Sequence, residues 1–240
     1  MMFFGPLNEI YPATACSIGA FTAGGKTPQV DGAIPAVDTE TTAAGFDIQM
    51  DAENAAATGL EVVVGTSHMG GANAFTVGTH AGYIDATFFT ADWTDYDGCG
   101  IGLRTAEDFN DGHVIQLDAA AAGDGIYNTF AAFGVMGDTN LEIQTDLNNS
   151  GTSTSTDCGA SVPVDAQNLR LRITIAKSGA VTYGFVVNQV AGAGTLAAPA
   201  TTAAFTFDSG DVIVPYIFTS ADTAAADELF LKDIKVVRTA

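Results

Sequence analysis

Residues 169–175 read LRLRITI, with Leu169, Leu171, Ile173 and Ile175 alternating against Arg170, Arg172 and Thr174. Such alternation puts every second side chain on one face of an extended strand, a pattern a helix cannot use. The same grammar runs through most of the chain. FDIQM, GLEVVVG, YIDATFFTADW, GIGLR, HVIQLD, IYNTFAAFGVM, NLEIQTDL, VTYGFVVNQV, DVIVPYIF and LFLKDIKVV are short runs of β-branched and aromatic residues, punctuated by Gly, Asp, Asn or Ser. The last run alternates less cleanly, with Phe230, Lys232, Ile234 and Val236 set against Leu229, Leu231, Asp233 and Lys235. No window sustains a helical period between caps, so helix is expected in TSADTAAADE at most, as a single turn. Many short strands at regular spacing predict an all-β, two-sheet antiparallel sandwich rather than parallel βαβ units.

A chain of 240 residues can bury one sizeable core, and a hydrophobic fraction of 47% excludes a disordered polyelectrolyte. Its 28 acidic residues against 8 basic ones give a formal charge of -20. That balance argues against nucleic acid, whose phosphates must be met by Lys and Arg, and against an anionic membrane face. It suits a protein that docks on a basic surface or works where salt screens its self-repulsion. No Lys or Arg precedes Lys26, and Gly5, Pro6 and Pro12 interrupt the apolar start, so neither a secretory signal nor a membrane span is expected. Folding in a reducing cytoplasm is the expectation. Cys16, Cys99 and Cys158 fit that, reading as isolated thiols, with a Cys99–Cys158 disulfide left open.

Residues 1–45 differ from the rest. Pro6, Pro12, Pro28 and Pro35 lie among Gly, Ala and Thr with little periodicity, which predicts an extended arm with one or two short strands. Its apolar tip, Met2, Phe3, Phe4 and Leu7, is costly to leave in water and is expected to dock on the chain's own domain or on a neighbouring subunit. Residues 46–240 form the sandwich domain. NNSGTSTSTDCGAS (148–161) and QVAGAGTLAAPATTAA (189–204) read as solvent-facing connectors.

The densest run of carboxylates is DWTDYDGCGIGLRTAEDFNDGHVIQLD, residues 92–118. Its glycines miss the spacing of a helix–loop–helix calcium loop, arriving one residue early from Asp108 and one late from Asp92. Asp92, Asp95 and Asp97 could still staple a structural calcium, but DYDG and FNDG are equally ordinary turn chemistry. Strands near 98–104 and 113–117 joined by a hairpin are expected here, with Gly98, Gly100 and Gly102 thinning the first so that another backbone or the N-terminal arm can pass close. Glu142 and Asp146 share a face with Gln144 between them, the nearest approach to a paired-carboxylate site. His68, His80 and His113 are scattered, and Trp93 either stacks on a sugar or closes the core.

The string LRLRITIAKSGAVTYGFVVNQ, FDSGDVIVPYIFTSAD and LFLKDIKVV, with GCGIGLR earlier, resembles the concanavalin A-like lectin/glucanase jelly roll, in the form found in structural proteins of tailed bacteriophages. The resemblance spans residues 46–240 and implies a non-enzymatic virion component, a capsid decoration protein. Its partners would be the major capsid protein or other virion subunits and its own copies, as a homo-oligomer, a trimer about a local axis. Neither the lectins' metal site nor the glucanases' E-x-D-x-x-E is visible, so no catalytic or cofactor residue carries over. The alternative is a carbohydrate-binding, lectin-like module.

Overall fold

The computed structural model describes residues 27–31, 36–37, 41–42, 45–47, 50–51, 58–64, 66, 69–71, 74–93, 98–107, 127–137, 140–148, 153–188, 194–221 and 229–240. All of its regular structure is β, in strands numbered here in chain order. The larger sheet is built from β1 (Thr27–Asp31), β6 (Thr58–Val63), β15 (Val212–Ala221), β9 (Gly98–Thr105), β10 (Phe130–Met136), β11 (Asn140–Asp146) and β12 (Thr154–Ser161), in that spatial order, with β7 (Phe75–Thr76) also paired to β15. The smaller sheet runs β14 (Val181–Asn188), β13 (Asn168–Ile175), β8 (Ala81–Thr90), β16 (Leu229–Thr239), β4 (Gly45–Asp47) and β3 (Thr41–Thr42). A further pair joins β2 (Ala36–Val37) to β5 (Met50–Asp51). Every pairing is antiparallel, and the all-β two-sheet sandwich expected from sequence is the observed fold.

The core lies between the sheets. Leu169, Leu171, Ile173 and Ile175 of β13 and Ile84, Ala86 and Phe88 of β8 face Cys99, Ile101 and Leu103 of β9 and Ala131, Phe133 and Val135 of β10. The irregular closing run has a physical cause. The pairing of β16 with β8 shifts between Leu231 and Asp233, leaving Lys232 as the extra residue of a β-bulge. Side-chain parity flips there, so Leu229 and Leu231 point into the core before the bulge and Ile234 and Val236 after it.

The glycines of β9 do admit a close approach, from neighbouring strands. A Cβ at Gly102 would lie 2.1–2.4 Å from ring and hydroxyl atoms of Tyr216, and one at Gly100 would lie 2.4 Å from the Phe133 carbonyl oxygen. The aromatic ring of β15 thus lies across the next strand, where any side chain would evict it.

Two expectations need correction. The stretch 154–161, read as a connector, forms β12 at the edge of the larger sheet, with Cys158 buried in the core and Thr154, Asp157, Gly159 and Ser161 exposed. A polar, Ser/Thr-rich strand is how an edge avoids pairing with other chains, so its composition resembles a loop's. Second, β9 cannot form a hairpin with 113–117, because β15 and β10 occupy its two sides along nearly its whole length. Residues 113–117 themselves, like the arm tip Met2, Phe3, Phe4 and Leu7, lie outside the described residues.

Substituting Gly102→Ala is expected to lower the unfolding free energy by about 1–3 kcal/mol, the usual cost of overpacking. Adding Tyr216→Leu to it should cost less than the two single changes summed, as read in urea titrations, because both act on one contact.

Candidate functional site

Each sheet has an outward face, and the two differ in kind. On the larger sheet, register places Val214, Arg104, Phe130 and Asp146 in one cross-strand row, with Val63, Tyr216, Gly102, Ala132 and Gln144 in the next. Val63, Tyr127, Phe130, Ala132, Met136, Val214, Tyr216 and Phe218 form a second buried cluster there. Embedded in it is an ion pair whose side chains are both 0% exposed: Arg104 Nη2 donates to Glu61 Oε1 at 2.8 Å, and Nε donates to the same oxygen at 3.2 Å. Tyr127 donates its hydroxyl to Glu61 Oε2 at 2.6 Å, and the Arg104 guanidinium lies 4.2 Å from the centre of the Tyr127 ring. Burial works against the Arg104 charge, yet the Glu61 carboxylate outweighs it and holds the guanidinium above its ordinary value. Burial first, and Glu61 next, push the Tyr127 phenol well above the usual tyrosine range.

The same arginine fixes the chain beyond β9. Its Nη1 donates to the carbonyls of Thr105 (3.0 Å) and Glu107 (3.4 Å). Glu107 in turn accepts from the Asn128 backbone N–H at 3.0 Å and from Asn128 Nδ2 at 2.8 Å, so residues 107 and 128 are tied together. This is a clamp between β9 and the Tyr127 segment. Glu142, Gln144 and Asp146 continue the face on β11, all buried, and Ser155 donates its hydroxyl to Glu142. The Glu142 and Asp146 Cα positions stand ~13 Å apart along one strand, from the rise per residue.

The outer face of the smaller sheet is the cationic one. Over β8, β13, β14 and β16 it carries Arg170, Arg172, Lys232 and Lys235, four of the chain's eight basic residues, against Asp85 and Asp233, two of its 28 acids. Asp85, 3% exposed, is the hub: Arg170 Nε and Nη2 donate to its two oxygens at 2.9 Å each, and Arg172 Nε donates to Oδ2 at 2.8 Å. Arg172 also lies 4.2 Å from the Tyr83 ring centre, and Lys232 Nζ lies 4.1 Å from that of Phe89. The hydrogen bond to Asp85 raises the Arg170 guanidinium further, while burial and then the Asp85 charge hold Asp233 above the usual carboxylate range. Burial lowers the Lys232 ammonium. Sequence showed the Arg170/Arg172 face but not the lysines beside it, because the bulge at Lys232 hid their register.

Of the residues singled out from sequence, Trp93 closes the core. It is 1% exposed, its indole N–H donates to the Gln167 carbonyl at 3.0 Å, and its backbone N–H donates to Asp165 Oδ1 at 3.1 Å. Asp92 is half-buried, its backbone bonded in both directions to the Thr90 hydroxyl, and Asp95 and Asp97 lie outside the described residues. Among the described residues no group of three or more His, Cys, Asp or Glu gathers as metal ligands. His80 accepts the Thr76 N–H on Nδ1 at 2.9 Å, as a turn histidine. Cys99 and Cys158 are free, buried thiols, and burial, with Asp157 and Glu142 nearby, pushes Cys158 up to about 12.

With this geometry in place, comparison with solved structures is decisive for architecture. The lectin UEA-II complexed with galactose superposes over 91% of this chain and 94% of its own, with a TM-score of 0.55 at 10% identity. The metal-free lectin I-B4 from Griffonia simplicifolia covers 92% and 96%, with a TM-score of 0.54 at 11% identity. A lectin from Bauhinia forficata in complex with GalNAc covers 89% and 93%, with a TM-score of 0.54 at 10% identity. The fold is the concanavalin A-like jelly roll. No protein-family model and no curated protein matches the sequence. At these identities the likeness is one of architecture.

Two outcomes are expected from the buried groups. Arg104→Met, which strands Glu61 without its cation, should cost about 3–5 kcal/mol of stability, and Glu61→Leu added to it should restore much of that loss in chemical denaturation. Cys99 and Cys158 should stay silent toward a thiol-specific chromogenic disulfide at pH 8 in the native protein and react once it is unfolded.

Proposed function

We propose that this chain is a non-catalytic, lectin-like carbohydrate-binding module. The observation that supports it is the superposition of nearly the whole chain on lectins, two of them solved with galactose or GalNAc bound. Both chains are covered almost end to end, so the match is not a shared hairpin or half-sandwich. The findings favour this reading over the capsid-decoration role that the sequence resemblance suggested. Binding would not use Trp93, whose ring is enclosed and whose N–H is already bonded. Nor does the reading invoke a metal: the described residues gather no ligand set for one.

A saccharide array probed with the labelled protein tests the proposal. Selective, competable binding to a subset of saccharides is expected. Uniform silence across neutral and acidic sugars would remove it.

A further inference from the structure

The cationic face of the smaller sheet has properties that the architecture does not require. An outer sheet face needs only to be wetted, and in a chain of net charge -20 the statistical expectation is an acidic one. Among the described side chains of β8, β13, β14 and β16, four cations meet two carboxylates, and they are held in place. Arg170 and Arg172 are both fixed by Asp85. Lys232 lies over the Phe89 ring without a carboxylate partner among the described residues, at a bulge that delivers an additional cation to this face. Arg172 and Lys235 stand opposite Asp85 on either side, two strand spacings or ~10 Å apart.

Thr87 lies in the next row, opposite Arg170 on β13 and Asp233 on β16, on the same face as Asp85, and it is 0% exposed, so the charged side chains and not the threonine meet the solvent.

We infer that the outer face of β8, β13 and β16 binds an acidic saccharide, through its carboxylate or sulfate oxygens. Arg172 and Lys232 supply the charge, and Arg170 and Asp85 supply the rigid frame. The inference rests on the carbohydrate-binding reading and names the class of sugar and the face that takes it. Guanidinium groups suit such anions because their planar donors match two oxygens at once. A second copy of the chain fits less well. It would bring one body of charge -20 against another, and back-to-back contact would set cations against cations. A saccharide acid touches only the face.

Affinity electrophoresis and calorimetry with polygalacturonate (carboxylate), dextran sulfate (sulfate ester) and neutral dextran provide the test. Binding to at least one acidic polymer is expected, at least tenfold tighter than to dextran and weakened by salt. The pair of polymers identifies the acid. Arg172→Gln with Lys232→Gln should weaken that binding at least tenfold when measured well below the variant's own thermal midpoint. Lys232→Gln alone, at a half-buried bulge residue with no carboxylate partner among the described residues, serves if the double variant is unstable. Equal binding to neutral dextran, or full binding by the variants, overturns the inference. Neutral sugars bound on an array with no acidic polymer bound would overturn it while leaving the carbohydrate-binding reading intact, whereas silence toward every saccharide removes both. Concentration-dependent self-association in sedimentation, abolished by the same variants, would assign the face to a second copy instead.

Discussion

The Glu61–Arg104 pair is the interaction on which the larger sheet depends. Glu61 belongs to β6 and Arg104 to β9, and β15 runs between them, so the pair spans a strand rather than joining neighbours. Tyr216, on the strand being crossed, lays its ring over Gly102 beside the guanidinium, and Tyr127 closes the other side. Two charges removed entirely from water are not favourable in themselves. They are tolerated because the carboxylate accepts from both Arg104 and Tyr127 while the guanidinium also binds two carbonyls. The consequence is order: β6, β15, β9 and the Tyr127 segment can meet in one relative position only.

That clamp separates the two faces of the molecule by role. The outward face of the larger sheet carries an apolar cluster with buried polar groups inside it, so its side chains are committed to one another. The outward face of the smaller sheet is half-exposed and positively charged in a strongly acidic chain. Stability is concentrated on one side and available chemistry on the other. A sandwich allows this because the two outer faces share a core but no side chains.

The sequence was legible wherever local alternation decided the outcome. LRLRITI declared both the core-facing leucines and isoleucines and the outward arginines, and the two-sheet architecture followed from many such runs. Legibility failed where a single residue altered the phase or where composition had two meanings. Lys232 as a bulge made the last strand look irregular, although each half of it alternates cleanly. TSTDCGAS looked like linker because an exposed edge strand is selected for polarity, and only Cys158 reports its buried side. Trp93 invited a ligand-stacking reading that its bond to Gln167 forecloses. The Glu61–Arg104 pair was invisible for a different reason: its partners are 43 positions apart, and no local rule links them.

The placement of the four cations has one more consequence. A protein with net charge -20 that gathers four of its eight basic residues on one face of one sheet carries its charge unevenly. In a field gradient, such as that near any charged boundary, it experiences a torque as well as a net force. Near a negative boundary that face is repelled less than an acidic one, and near a positive boundary it is drawn less. The orientation of the molecule is thereby set at a distance, by the same residues that would later make the contact.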